Sequence, residues 1–176
     1  MTNNLIIKCS SSGLVKYTKE SAIEQKVVNK YSYSLDIIAG EYAIVSDDSG
    51  VIMQTILGSC ISIVVYDVKL QITGFNHYLI PIGNGLKSGK ESTEELLKQM
   101  YKLGSNKKDL LIKIYGGASL SSLGMNSINI GQKNTNFAKD FCDLNKFKVR
   151  QMEVGGSYGR ILQIKPFFIT TSKNIK

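Results

Sequence analysis

Two β-rich runs around a short polar break constrain the fold of this chain more than any other feature. The first run covers residues 61–66 and the second covers residues 70–80, and both are rich in isoleucine and other strand-forming residues. Such a pair of runs predicts a β-hairpin. A turn centred between Val68 and Lys69 places Cys60 directly opposite His77. Because directly opposed residues have Cβ atoms about 4.5–5.5 Å apart, a thiol and an imidazole in this register can share a proton.

The register of the hairpin decides whether this pair forms. The residues Val68 and Lys69 suit neither of the favoured two-residue turn types. A four-residue loop on the same centre keeps Cys60 opposite His77, whereas a slip of one residue sends the two side chains to opposite faces of the sheet.

Cys60 and His77 are candidates for a catalytic pair. His77 is the only histidine of the sequence, so a Cys–His pair has no other choice of base. A cysteine nucleophile needs such a neighbour because the thiolate is the reactive species, and a free thiol is mostly protonated at neutral pH. The alternative is a buried cysteine that packs as a small apolar residue, beside a histidine with a structural role.

Length and residue patterns favour one α/β domain without a membrane segment. The chain has 176 residues, 43% of them hydrophobic, and no apolar run longer than a strand. A capping pattern predicts a helix over residues 92–103, and apolar spacing predicts another around Phe137, Phe141 and Leu144. Strands precede, separate and follow these helices, and the last is expected over residues 161–169. That order is typical of an α/β fold with mixed sheets.

The charge balance favours a protein partner over nucleic acid. The net charge is +8, but only Arg150 and Arg160 are arginines, and the lysines are scattered without an aromatic stacking motif. Positive charge of this kind steers acidic protein partners and aids solubility. The three cysteines are widely spaced and form no metal-binding pattern, and we expect a cytoplasmic protein with reduced thiols.

Five short motifs, in order along the chain, resemble the CheD family of chemotaxis deamidases. The motifs are Leu57-Gly58-Ser59-Cys60, Asn76-His77-Tyr78-Leu79-Ile80-Pro81, Gly116-Gly117-Ala118-Ser119, Ile130-Gly131-Gln132-Lys133-Asn134 and Gly155-Gly156-Ser157-Tyr158-Gly159-Arg160. The resemblance extends from about residue 41 to about residue 164. It implies mixed sheets with helices on their outer faces, an architecture that CheD-like proteins share with the toxin deamidase class of cysteine hydrolases.

The extent of the resemblance suggests a domain organisation. Residues 1–39 are polar and mixed, and we expect an N-terminal extension that is partly mobile, carries no chemistry and is dispensable for folding. Residues 40–170 are expected to form the CheD-like deamidase domain, and residues 171–176 a C-terminal tail.

The resemblance implies a protein-glutamine deamidase, an amide hydrolase that converts glutamine side chains of chemoreceptors to glutamate and releases ammonia. Chemoreceptors and the CheC phosphatase are the implied partners, and no cofactor, metal, nucleic acid or membrane insertion is implied. The alternative of a different class is a non-catalytic docking module that binds chemoreceptors or CheC. A third hypothesis, again an enzyme, is an amidase for small amides.

The resemblance also implies roles for individual residues. Cys60 is the expected nucleophile, His77 the expected base, and a threonine upstream of the cysteine orients the base in CheD-like proteins. Thr55, five residues before Cys60, is the candidate. Some members have the threonine six residues before, where this chain has Gln54, so both positions stay open. The expected oxyanion and substrate-binding residues are Gly58, Ser59 and Asn76.

Overall fold

The computed structural model describes residues 4–30, 32–119 and 129–175. Within these ranges the chain forms eleven β-strands and three α-helices. The strands are β1 (Ile6–Ser10), β2 (Gly13–Tyr17), β3 (Ser34–Asp36), β4 (Glu41–Ser46), β5 (Ile52–Leu57), β6 (Ile61–Asp67), β7 (Ile72–His77), β8 (Leu110–Gly116), β9 (Lys148–Val154), β10 (Gly159–Lys165) and β11 (Ile169–Ile175). The helices are α1 (Lys19–Glu24), α2 (Gly89–Lys102) and α3 (Ile130–Leu144).

The strands form two mixed sheets. The seven-stranded sheet has the order β2-β1-β4-β7-β6-β8-β9, with β8 and β9 parallel and the other neighbours antiparallel. The four-stranded sheet has the order β11-β10-β5-β3, with β3 and β5 parallel. The predicted α/β fold with mixed sheets is therefore confirmed.

Apolar side chains pack on both faces of the seven-stranded sheet. Phe75 from this sheet meets Met53 and Leu162 from the four-stranded sheet in a layer that we call the inter-sheet core. On the opposite face, Ile63 packs in a second core with residues of α2 and α3. Because successive side chains along a strand point to opposite faces, β1, β2, β4, β6, β7 and β8 contribute to both layers, whereas β9 contributes only Val154 to the second core. Burial of this apolar surface is the main favourable contribution to folding, at about 25 cal/mol per Å².

The predicted hairpin is present as β6 and β7, but its register differs from the predicted one. Asp67 pairs with Ile72 rather than with Leu70, so the pairing moves by two residues. Residues 68–71 form a four-residue loop, and the Asp67 carboxylate accepts two backbone N–H bonds of 2.8 and 2.9 Å within it. This carboxylate cap centres the loop one residue later than the polar break suggested.

The two-residue shift changes the position of Cys60 relative to His77 but not its side of the sheet. Side chains alternate with a period of two, so a shift of two residues leaves each one on its original face. The prediction that Cys60 lies directly opposite His77 is therefore wrong. Both side chains nevertheless face the four-stranded sheet.

Helix α2 begins three residues before the start that the capping pattern predicted. Ser88 is at the N-cap position, and Ser92 and Thr93 are buried inside the helix. The backbone N–H of Gly89 donates to the carbonyl of Ile80 at 2.8 Å, so a contact with the chain after β7 sets the helix start. None of the described helices is long and apolar enough to cross a membrane.

The last predicted strand is a hairpin instead of one continuous strand. Strands β10 and β11 pair along their whole length and are joined by residues 166–168. Phe167 and Phe168 in this turn have φ angles of 61° and 59°, which a strand does not contain. Residues 171–175 of the predicted tail belong to β11, and residue 176 lies outside the described residues.

Residues of the predicted N-terminal extension contribute to both sheets. Strand β1 lies between β2 and β4, and β3 pairs with β5. Ile6 and Leu35 are fully buried in the inter-sheet core. Residues 1–3 and 31 lie outside the described part of the chain. That residues 40–170 fold alone stays a prediction, but the burial of these side chains leads us to expect that the N-terminal strands stabilise the fold.

We predict that Ile6→Ala destabilises the protein by about 2–5 kcal/mol, because truncating a fully buried isoleucine leaves a cavity. Val15→Ala in the neighbouring strand is the control, since Val15 is 46% exposed and should change stability by less than about 0.5 kcal/mol. Urea unfolding measures both. Equal stabilities of the two variants would contradict an integrated N-terminal segment.

Candidate active site

Cys60 lies in a tight turn between β5 and β6, and each backbone carbonyl of this turn accepts a hydrogen bond. The three consecutive carbonyls of residues 58–60 accept hydrogen bonds from Ala118 N, Asn134 Nδ2 and Gly117 N at 2.8, 2.9 and 2.7 Å. Gly117 has a φ of 68°, a conformation that favours glycine. The glycine-rich segment after β8 and the start of α3 therefore fix the backbone around Cys60.

In the part of the chain that the structure describes, the backbone N–H groups of Ser59 and Cys60 donate no hydrogen bond to another residue. In a trans peptide the N–H points away from the preceding carbonyl. Since the carbonyls of residues 58 and 59 are held on one side, these two N–H groups point to the other side. Free backbone donors next to a thiol are the usual means of stabilising an oxyanion in acyl transfer.

His77 is held from the opposite sheet. Thr55, on β5, places its Oγ1 2.8 Å from His77 Nδ1, and the same hydroxyl donates to the carbonyl of Ile37 at 2.6 Å. A hydroxyl can donate one hydrogen bond, and that of Thr55 is donated to the Ile37 carbonyl. Nδ1 must then carry the proton of the neutral imidazole and donate to Thr55. This network assigns the tautomer whose Nε2 has a free lone pair.

The Nε2 atom of His77 is buried and has no hydrogen-bond partner among the described residues. It can therefore act as a base toward a group that comes within reach. Cys60 packs against the inter-sheet core, toward which the His77 ring also points. No hydrogen bond joins the two side chains in this structure, so the resting thiol and imidazole do not form the paired ions that a close Cys–His contact would give.

Burial affects the protonation of both groups. It raises the pKa of the Cys60 thiol, and a contact with the residue's own backbone N–H lowers that pKa by a smaller amount. Burial lowers the pKa of His77, while the Ile37 carbonyl and the Glu41 carboxylate act in the opposite direction. Both groups are therefore neutral at neutral pH, which is the protonation state needed before proton transfer from thiol to imidazole.

Glu41 is the carboxylate that acts on His77. The two residues are directly paired across β4 and β7. Glu41 is 9% exposed, forms a 3.0 Å ion pair with Lys8, and accepts the backbone N–H of Ile38 at 3.1 Å. No sequence motif marks this residue, because the pairing of β4 with β7 brings it to the site.

Gln54 and Thr55 point to opposite faces of β5. Gln54 Nε2 donates to Asp36 at 2.6 Å, and Gln54 Oε1 accepts from Gln163 at 3.1 Å, whereas Thr55 bonds His77. Of the two positions left open by the sequence, Thr55 is the one in contact with the imidazole.

Asn76 is not brought to this site. Its Oδ1 accepts the backbone N–H of Ile63 at 2.9 Å, and its Nδ2 donates to Thr93 of α2 at 3.0 Å. It precedes His77 on β7, so its side chain lies on the face toward the helices. Asn76 therefore joins the sheet to α2, and we no longer expect it to bind an oxyanion or a substrate.

A cavity of about 590 Å³ opens beside Thr55 and His77. Gln54 and Gln163 supply polar groups to its wall, and the exposed Ile56 supplies apolar surface. Within the described residues, no group of three or more His, Cys, Asp or Glu side chains is placed to hold a metal ion.

Comparison with known proteins assigns this arrangement to a family. The sequence model described as CheD chemotactic sensory transduction matches residues 82–171, just over half of the chain. A protein of Sulfurimonas denitrificans is 34% identical over 120 residues, which are 65% of this chain and 77% of that protein. The chain belongs to the CheD family.

Other relatives extend this assignment. A protein of Methanococcus vannielii is 34% identical over 129 residues, covering 69% of this chain and 84% of the relative. A protein of Ralstonia pickettii is 31% identical over 142 residues, covering 74% of this chain but only 59% of the relative. All three CheD relatives are named probable chemoreceptor glutamine deamidases.

The region matched by the CheD model contains residues that hold the site but not Cys60 or His77. Asn134 and Gly117 lie in it and bond the turn of residues 58–60. Both occur in the quoted motifs. The small residues around Gly117 at a strand end are typical of a close backbone approach to a ligand or a neighbouring element, and that neighbour is the turn of Cys60, whereas no pattern indicated a role for Asn134.

We predict that Cys60 reacts first of the three cysteines with iodoacetamide, since Cys9 and Cys142 are only 8% and 1% exposed. Because burial raises the pKa of the Cys60 thiol, its rate should still be rising at pH values above the usual thiol pKa of about 8.5. Mass mapping after brief treatment at several pH values measures this, with urea-unfolded protein as the control. Earlier labelling of Cys9 or Cys142 in the folded protein would show that the exposed thiol is misassigned.

We predict that His77 titrates below the usual histidine pKa of about 6.5, and that Glu41→Gln lowers its pKa further by removing a negative charge. The chain has one histidine, so NMR titration of its ring signals is unambiguous. Glu94→Gln on the exposed side of α2 should leave the value unchanged. A higher His77 pKa in Glu41→Gln than in the wild type would be incompatible with the assigned electrostatics.

Proposed function

We propose that this protein is a protein-glutamine deamidase that converts glutamine side chains of chemoreceptors to glutamate and releases ammonia. The observation that carries the proposal is the 2.8 Å contact between Thr55 Oγ1 and His77 Nδ1, which leaves Nε2 free on the side of the sheet where Cys60 lies. The names of the CheD relatives support the substrate class.

The first half of the reaction forms a thioester. His77 Nε2 takes the proton of the Cys60 thiol as the sulfur attacks the side-chain amide carbon of the glutamine. The backbone N–H groups of Ser59 and Cys60 stabilise the oxyanion that develops on the amide oxygen. The imidazolium then returns the proton to the amide nitrogen, the C–N bond breaks, and ammonia leaves.

The second half hydrolyses the thioester. His77 Nε2 takes a proton from water, and the resulting hydroxide attacks the thioester carbon. The C–S bond breaks, the thiol recovers its proton, and the product side chain is a glutamate. Thr55 keeps the imidazole in the tautomer that both steps need, because its Oγ1 accepts a hydrogen bond from the Nδ1–H group throughout.

The proposed setting is chemotaxis in the cytoplasm. Chemoreceptors are the proposed substrates, and the CheC phosphatase is a proposed binding partner, as the family resemblance implies. The net charge of +8 suits binding to acidic protein surfaces. The proposed chemistry uses the side chains and backbone of this chain and requires no cofactor.

A docking module without turnover is the second candidate. It is favoured by the absence of a hydrogen bond between the Cys60 and His77 side chains within the described structure. In that case the protein would bind chemoreceptors or CheC, and the cysteine would pack as an apolar residue.

We predict that Cys60→Ala lowers ammonia release from receptor fragments at least about a thousandfold, and that His77→Ala costs nearly as much, because members of one catalytic unit are not additive. Thr55→Ala should cost less, since it only orients the ring. Gln54→Ala, next to Thr55 but without a hydrogen bond to His77, is the matched control for the orientation of the ring and should keep a kcat near wild type.

Ammonia release and receptor binding measured on these five proteins separate the two functions. For the deamidase, turnover falls in the order above while receptor binding stays close to wild type. For the docking module, no receptor fragment yields ammonia with the wild type, and binding is insensitive to Cys60 and His77. Turnover that survives in Cys60→Ala would refute the mechanism.

A further inference from the structure

Asn134 joins the turn that carries Cys60 to the chain that follows β7. It lies fully buried in the second turn of α3. Its Nδ2 donates to the carbonyl of Ser59 at 2.9 Å and to the carbonyl of Leu79 at 2.8 Å. The Tyr78 hydroxyl donates to the backbone carbonyl of Asn134 at 2.9 Å. One side chain thus ties three segments that are distant in sequence.

The contacts of Asn134 are not those of a residue chosen for packing. Both protons of its amide nitrogen are used, but its Oδ1 is buried and has no partner among the described residues. A buried polar atom without a partner costs roughly 1–3 kcal/mol, which an apolar side chain at this position would avoid. The two donated hydrogen bonds, and what they hold in place, are the gain that offsets this cost.

The bond to Ser59 controls the direction of the Cys60 N–H. The carbonyl of Ser59 and the N–H of Cys60 belong to one planar trans peptide unit, in which they point in opposite directions. A donor that holds the carbonyl therefore sets the direction of the N–H. That N–H donates to no other residue in the described structure and lies next to the sulfur of its own residue.

We propose that Asn134 is a positioning residue that orients the Cys60 N–H. In this orientation the N–H stabilises the oxyanion that forms on the amide oxygen when the Cys60 sulfur attacks. The inference rests on the proposed deamidase function for its kinetic consequence. Its structural part, the orientation of the Ser59–Cys60 peptide, does not require turnover. Among the described residues Asn134 makes no hydrogen bond to the Cys60 thiol or the His77 ring, and it acts through the backbone of Ser59.

The test uses the full chain with Asn134→Ala and Asn134→Asp. Aspartate is nearly the same size, but its carboxylate cannot donate to either carbonyl and its protonated form can donate to only one of the two. The Cys60 N–H also stabilises the thiolate, so a loosened peptide should move the pH midpoint of iodoacetamide labelling at Cys60 upward in both variants. In ammonia release, kcat should fall about tenfold or more with KM within about twofold, as expected when a donor acts mainly in the transition state.

Two further variants control for structural effects. Asn136→Ala changes an exposed asparagine on the same helix and should keep the wild-type midpoint, kcat and KM. Tyr78→Phe removes only the hydroxyl that donates to the backbone carbonyl of Asn134. It should raise the midpoint and lower kcat, each by less than the Asn134 variants do. If the Asn134 variants do not fold, as judged by circular dichroism, Tyr78→Phe carries the test.

The outcomes separate the two proposals. A raised midpoint with lowered kcat supports the role of Asn134. Folded variants with the wild-type midpoint and kcat overturn it. If the wild type releases no ammonia from any receptor fragment, the deamidase proposal fails, and the labelling midpoint still decides whether Asn134 orients the Cys60 N–H.

Discussion

The hydrogen bond between Thr55 and His77 is the interaction on which the candidate site depends. It joins a strand of the four-stranded sheet to a strand of the seven-stranded sheet, so it exists only while the two sheets pack together. The hydroxyl of Thr55 is itself held by the carbonyl of Ile37, which fixes the direction of its lone pairs. The tautomer of His77, and with it the availability of Nε2, is therefore a consequence of sheet packing.

The turn at residues 58–60 is built by a different set of contacts. Its three carbonyls are held by Ala118, Asn134 and Gly117, which come from the end of β8 and from α3. These groups lie in the region that matches the CheD sequence model, whereas Cys60 and His77 lie before it. The site thus combines the proposed nucleophile and base, which come from the turn and hairpin of β6 and β7, with a backbone support supplied by the later half of the chain. The turn supplies the thiol and the N–H groups, and the later half of the chain bonds the turn carbonyls. Both are required to place free N–H groups beside the thiol.

Sequence patterns predicted the elements of this structure better than their boundaries. The hairpin and the two long helices follow from apolar spacing, which reflects burial on one face. The register of β6 and β7 did not follow, because the Asp67 carboxylate caps the loop one residue later than the polar break suggested. The start of α2 and the turn at residues 166–168 were also missed, since each depends on contacts outside its own segment. The N-terminal strands lacked a clear pattern, yet β1 lies within the large sheet.

The sequence by itself determined the chemistry available: one histidine, a cysteine at a glycine-containing turn, and motifs that identify the family. It also determined that a two-residue error in register would leave Cys60 and His77 on the same side, because the period of a strand is two. Only the tertiary structure decided that Thr55, and not Gln54, contacts His77. It also decided that Asn76 faces the helices and that Glu41 and Asn134 support the site. The reason is physical: each of these contacts joins residues far apart in the chain, and their geometry is set by the packing of sheets and helices.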